Sequence, residues 1–188
     1  MRKLKLQMQV SADGFVAGTN GEMDWMAWNW DDELKQYVTN LTEPIDCILL
    51  GRKLAEGFIP HWAAVAANPD APDFTAGKKF TDTPKIVFTK TLRDTGNWAN
   101  TTLAKGDLAA EAKQLKNQAG GDIIAYGGAD FVSSLLQEGL IDELHLFINP
   151  TAIGNGMSIF KDRTSLQIAD LQSFDCGIVV MHYQPNKK

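Results

Sequence analysis

Residues 45–50, Ile-Asp-Cys-Ile-Leu-Leu, form a mostly apolar run that passes directly into Gly51-Arg52-Lys53. A strand this apolar is buried on both faces, which is the situation of a parallel sheet covered by helices on either side. Residues 85–89, 123–126 and 144–148 read as further buried strands, with a shorter one at 101–104. Helical periodicity falls between them. Leu34, Tyr37, Val38 and Leu41 stand at i, i+3, i+4 and i+7, with Asp31 or Asp32 available as cap and Pro44 as stop. Asp107 caps a helix bearing Leu108, Ala112 and Leu115 that ends at Gly120-Gly121, and Phe131, Val132, Leu135 and Leu136 supply the apolar stripe of another, closed by Gly139. Residues 3–10 alternate as a first strand, and 165–174 pairs with 177–184 as an antiparallel hairpin. The expected fold is α/β: three αβα layers, a mostly parallel central sheet, and antiparallel strands at its C-terminal end. A short helix is expected after Gly51, and residues 60–84, with Pro60, Pro69, Pro72 and Gly77, read as a long surface excursion.

With 188 residues, residues 1–188 are expected to make one domain. Two isolated cysteines, Cys47 and Cys176, have neither zinc-site spacing nor the density of a disulfide scaffold, which favours a reducing compartment. The net charge of −5 argues against nucleic acid as a partner. No apolar run approaches the ~20 residues of a membrane span, and Met1-Arg2-Lys3 leads into a strand pattern and not a signal peptide. A cytoplasmic location is expected.

In an open parallel sheet, ligands bind beyond the carboxyl ends of the strands. Three turns there suit an anion: Gly51-Arg52-Lys53, with two cations opening a helix; Thr89-Lys90-Thr91; and Gly127-Gly128, where bare backbone N–H groups can meet a pyrophosphate. Singly, the first is also explained as solvated helix charge and the last as a tight turn; jointly they suggest an extended phosphorylated ligand such as a dinucleotide. Trp25, Trp28 and Trp30 either wall a pocket for a flat heterocycle or form a lid over the core. Asp24, Asp31, Asp32 and Glu33 surround them and offer a carboxylate for a paired hydrogen bond or a proton, although Asp31 and Asp32 also stand where a helix cap is wanted. His61, His145 and His182 are too far apart in sequence to read as a metal motif, His145 reads as a strand residue, and no metal is expected. The motifs of α/β-hydrolases and zinc deaminases are missing.

The chain resembles the dihydrofolate-reductase-like superfamily, in particular stand-alone proteins similar to the RibD C-terminal domain, the pyrimidine reductase of bacterial riboflavin biosynthesis. The resemblance rests on Ser11-Ala12-Asp13-Gly14-Phe15-Val16-Ala17, Leu50-Gly51-Arg52-Lys53, Tyr126-Gly127-Gly128, and the stretch 136–144 followed by Asn149-Pro150 and Gly154-Asn155-Gly156. It implies an NADPH-dependent reductase acting by hydride transfer on a pyrimidine-type heterocycle, with a dihydrofolate or pterin reductase, or a non-catalytic NADPH sensor, as alternatives. Arg52, Lys53, Thr89 and Lys90 match positions at the adenosine 2′-phosphate, Gly127-Gly128 match those beside the pyrophosphate, and Gly51 is a further expected cofactor contact. The resemblance also implies that Val10, Ala17 and the loop Gly18 to Gly21 border the nicotinamide. Trp25, Asp24 and Asp13 are the expected substrate contacts, and Asp32 and Glu33 the expected catalytic acids. A cis Gly127–Gly128 bond and a homodimer formed through the sheet end are implied as well.

Overall fold

The computed structural model describes residues 1–186. In chain order the elements are β1 (Leu4–Ser11), α1 (Asp32–Thr42), β2 (Ile45–Gly51), α2 (Arg52–Ala66), α3 (Phe74–Asp82), β3 (Lys85–Phe88), β4 (Thr101–Ala104), α4 (Leu108–Asn117), β5 (Asp122–Ala125), α5 (Ala129–Gln137), β6 (Glu143–Asn149), β7 (Leu166–Ser173) and β8 (Val179–Pro185). They form one sheet in the order β4-β3-β2-β5-β1-β6-β8-β7. From β4 to β6 every pairing is parallel; β8 then runs antiparallel to β6, and β7 antiparallel to β8.

Both faces of the central strands are covered, as their unbroken hydrophobicity demands. On one face Leu4, Leu6, Leu49, Ile123, Ala125 and Leu144 meet Ala112 of α4 and Val132 and Leu135 of α5. On the other, Ile48, Leu50, Val87 and Ile124 meet Ala55 and Ile59 of α2 and Phe80 of α3. Farther along that face Leu34 of α1 lies over Phe147 and Val180. The α/β fold with three layers and antiparallel final strands is therefore the one expected.

Residues 60–84 are not an irregular excursion. The helix after Gly51 is long, running through Pro60 to Ala66, and α3 follows it. Proline inside a helix costs roughly 3 kcal/mol, and here aromatic burial offsets that penalty. Phe58 and Trp62 of α2 lie 5.4 and 4.5 Å from Phe80 of α3, and Phe58 stacks on Tyr126 at 5.3 Å. Gly77 lets the two helices close up, since a Cβ there would sit 2.8 Å from Val65 Cγ1. Lys85, only 2% exposed, ends the pair: its Nζ donates to the carbonyls of Phe80, Thr81 and Thr83 at 3.0, 2.8 and 2.7 Å. An ammonium there satisfies the orphan carbonyls of the last turn of α3.

The β6–β8 ladder sets His145 directly opposite His182. Two histidines too far apart in sequence to read as a motif are thus neighbours in space. Among the described residues, no helix is long and apolar enough to cross a membrane.

Candidate active site

β2 leads through α2 and α3 to β3, toward one margin of the sheet; its neighbour β5 leads through α5 to β6, toward the other. α2 covers one face and α5 the opposite one. Adjacent strands whose connections part in this way create a crevice at their carboxyl ends, the switch point where open α/β sheets take ligands. Gly51 and Gly127-Gly128 meet there. Gly51 N–H donates to the Gly127 carbonyl at 3.1 Å, and the Gly127–Gly128 peptide is cis.

Glycine is required at two of these positions. A Cβ on Gly51 would lie 2.9 Å from Phe131 Cβ and 3.4 Å from the Gly128 nitrogen. Gly127 has φ +138° and is flanked by Leu54 and Met8, whose atoms would stand 3.3 and 3.4 Å from an added Cβ. Gly128, by contrast, faces open space, with no atom within 4 Å of where its Cβ would be. Leu54, Met8 and Phe131 are neighbours of the crevice that sequence pattern does not reveal.

The caps set these two helices apart from α1 and α4. Asp31 accepts from Leu34 N–H at 2.8 Å to cap α1, and Asp107 from Ala110 N–H at 2.9 Å to cap α4. The N-caps of α2 and α5 are Gly51 and Gly128, with no side-chain cap bond. Their first-turn N–H groups, with the positive ends of both helix dipoles, are left for an external anion.

Cations and hydroxyls ring this point unequally. Arg52 Nη1 donates to Glu56 Oε1 at 2.7 Å along the exposed side of α2. Lys53 is exposed and has no ion pair among the described residues. Thr89 follows β3, next to the end of β2, and its hydroxyl oxygen accepts from the amides of Thr91 and Leu92 at 3.1 and 3.0 Å. Lys90 Nζ donates to the carbonyls of Lys105 and Gly106 at 2.8 and 2.6 Å, fastening the β4–α4 loop to the rim.

Beyond β1 the chain is strapped to the loop after β6. Ala17 bridges Met157, and Val16 N–H donates to the Met157 carbonyl at 2.9 Å. Asp13 does not stand free. It accepts from the Ser11 hydroxyl at 2.6 Å, from Gly154 N–H at 2.7 Å and from Ile153 N–H at 3.1 Å, so both oxygens are committed to the strap. The Ser11 bond first, then the two amides, hold its carboxyl below the usual carboxylate range. A lowered pKa means the strap is at full strength above the ordinary carboxylate pKa and lost as pH falls through the lowered value. Amide protection at Ile153 and Gly154, corrected for intrinsic exchange, is expected to hold through the ordinary carboxylate range and collapse only at more acid pH. Asp13→Asn should remove that pH dependence; a wild-type profile flat down to acid unfolding would refute the clamp.

Gly18 N–H donates to the Glu22 carbonyl at 2.9 Å, turning the chain back after Ala17. Beside Val10 an apolar hollow of about 420 Å³ opens, bordered by Gly14, Ile148, Ile159 and Phe160.

The tryptophans divide. Trp30 stacks on Phe147 at 6.1 Å and belongs to the core, whereas Trp28 is 67% exposed. Trp25 is half-buried and donates through Nε1 to the Glu22 carbonyl at 3.2 Å. The loop that carries them is pinned at Ala27, whose N–H donates to Asn149 Oδ1 at 2.8 Å. Asp31 is the cap of α1, and its second oxygen accepts from Cys176 N–H at 2.9 Å. Asp24, Asp32 and Glu33 are all exposed; Asp32 lies 3.9 Å from Lys35 and faces water. The structure thus joins Gly51, Arg52, Gly127 and Gly128 at one crevice and leaves the acidic residues at a solvent-facing margin.

A mixed eight-stranded sheet with this order and this switch point is a dihydrofolate-reductase-like fold, and solved structures agree. A pyrimidine reductase-like protein of Corynebacterium diphtheriae is 15% identical with a TM-score of 0.62 over 100% of this chain and 93% of that one. Dihydrofolate reductase of Enterococcus faecalis, solved with NADP(H), is 14% identical with a TM-score of 0.59 over 98% and 97%. The RibD C-terminal domain family matches residues 2–180, and the chain belongs to it. It is also 31% identical to the uncharacterized protein YyaP of Bacillus subtilis, over 98% of this chain and 96% of that protein.

Proposed function

We propose that this protein is an NADPH-dependent oxidoreductase that reduces a pyrimidine-type heterocycle, similar to 5-amino-6-(5-phosphoribosylamino)uracil reductase. The observation that carries this reading is the pair of glycine-capped helix N-termini facing each other at the β2/β5 crevice. They form a cradle that fits a pyrophosphate, because Gly128 faces open space beside helix N–H groups that no side chain caps. NADPH, when bound, supplies a hydride to a C=N or C=O carbon.

The chain's own residues bind, orient and exclude water. The amides that follow Gly51 and Gly128 take the pyrophosphate. Arg52 and Lys53 take the 2′-phosphate, while Thr89 and Lys90 shape the rim on which it rests. Val10, Ala17 and Gly18 border the nicotinamide, with Asp13 holding that loop in place. Trp25 and Asp24 lie on the substrate side, and Asp32 or Glu33 delivers the proton through water, since both face solvent. The same reading includes a homodimer through the end of the sheet, where β7 leaves Ile168 and Leu171 52% and 51% exposed.

The test is NADPH consumption against a panel of pyrimidine, pterin and carbonyl compounds. Turnover is expected with a pyrimidine; tight NADPH binding without turnover of any compound would end the catalytic reading. Arg52→Ala combined with Lys53→Ala is expected to weaken NADPH by about tenfold or more, with little change for NADH, because only the former carries the extra phosphate. Equal weakening of both cofactors would misplace that phosphate.

A further inference from the structure

A second cluster of chemically capable side chains lies away from the crevice, under α1 at the β6/β8 pairing. Glu143, His145 and His182 bring one potential donor atom each into a cluster in which the three atoms lie within 4.8 Å of one another. The two imidazoles are stacked, with centroids 4.2 Å apart and planes inclined by 14°. Glu143 Oε2 stands 3.7 Å from His145 Nε2 and 3.8 Å from His182 Nε2, too far for a hydrogen bond to either. Both Nε2 atoms are buried and have no hydrogen-bond partner among the described residues. His145 is only 6% exposed. Buried polar nitrogens normally find partners, and two orphans facing one carboxylate oxygen call for one.

We propose that Glu143, His145 and His182 bind a divalent transition cation of the zinc class. Zinc–ligand bonds of about 2.0–2.1 Å at tetrahedral angles put ligand atoms about 3.4 Å apart, so the two carboxylate–imidazole spacings contract by a few tenths of an ångström, and the His182 ring, now nearly parallel to that of His145, turns to bring its Nε2 onto the metal. Two imidazoles and one carboxylate suit zinc rather than magnesium or calcium.

The surroundings hold the ligands as an outer shell does. Lys3 Nζ donates to Glu143 Oε1 at 2.6 Å, which occupies that oxygen and leaves Oε2 for the metal. The Tyr37 hydroxyl lies 2.7 Å from His145 Nδ1. With the metal on Nε2, Nδ1 carries the proton and donates it to the tyrosine oxygen, which fixes ring and tautomer. Oxygen donors for the open position stand in the same cross-strand row. Gln7 is paired with His145, and its buried Oε1 also has no partner among the described residues; Asp170 is paired with His182 beside a register shift in β7. Bound metal would tie β8 to β6 and, through Tyr37, to α1.

The experiment is titration of the purified full chain with Zn²⁺ in competition with a chromophoric chelator, alongside anomalous scattering from zinc-soaked crystals. One zinc per chain is expected, with an anomalous peak between the two imidazoles and a raised thermal midpoint. His182→Asn, checked for folding by circular dichroism, should lose at least about a hundredfold in affinity, and Tyr37→Phe, which keeps every ligand, about tenfold or more. His61→Ala, an exposed histidine elsewhere, should bind as the wild type does. Failure of the wild type to bind zinc, undiminished affinity in both His182→Asn and Tyr37→Phe, or loss in His61→Ala alone would overturn the proposal.

Discussion

Gly128→Ala is expected to leave the fold standing and to weaken NADPH by tenfold or more, whereas Gly51→Ala unsettles the fold itself. The contrast follows from what an added methyl meets. At Gly128 it projects into open space, with no atom within 4 Å, where the cradle would otherwise receive a phosphate against bare N–H groups. At Gly51 it lies 2.9 Å from Phe131 Cβ, so the start of α5 must shift away from β2. Overpacking of that kind costs roughly 1–3 kcal/mol, or about 3–9 °C of thermal midpoint in a chain of this size. Calorimetry and a fluorescence titration with NADPH separate the two effects. Gly128→Ala with wild-type affinity would show that the crevice does not hold the cofactor.

Asn149→Ala should be the most destabilising simple truncation at the site margin. Asn149 is 0% exposed and uses its whole amide. Its Nδ2 donates to Gln9 Oε1 at 2.8 Å and to the Phe147 carbonyl at 3.0 Å, and its Oδ1 accepts from Ala27 N–H at 2.8 Å. Truncation leaves a buried carbonyl, an amide oxygen and a backbone N–H short of partners, a loss of about 3 kcal/mol and hence about 10 °C. Because Ala27 is the tether of the tryptophan-bearing loop, faster proteolysis within residues 18–30 should accompany the thermal loss. Asn149→Asp keeps the acceptor for Ala27 and should spare that loop more than the alanine does. A thermal midpoint unmoved by Asn149→Ala would refute the tether.

Much of this architecture was legible because it is periodic. Ile45, Ile48, Leu49 and Leu50 announce a strand buried on both sides, and Leu34, Tyr37, Val38 and Leu41 a helix with one apolar face. Gly127 marks its turn because a φ of +138° between Leu54 and Met8 suits no other residue type. The start of α2 was expected, but its run past Pro60 and α3 beyond it were hidden because Pro60 speaks locally against a helix, while the burial that outweighs it comes from Phe80 and Tyr126, distant in sequence. The duties of Asp13 and Lys90 were hidden for a related reason. A carboxylate and an ammonium read as free ligands for substrate or phosphate, yet Asp13 is engaged by amides about 140 positions away and Lys90 by carbonyls across the neighbouring loop. The His145–His182 pair depends wholly on the β6–β8 register, which no local pattern encodes.

The parting of the chain at β2 and β5 has a mechanical side. At the carboxyl ends of the strands that seam is closed by main-chain bonds such as the one from Gly51 to Gly127, with Phe131 of α5 lying against Gly51. A molecule wedged into the gap touches polypeptide that reaches out to both margins, and stiffens the halves against each other as a keystone does. A ligand held at this one point would therefore bear on both halves of the sheet.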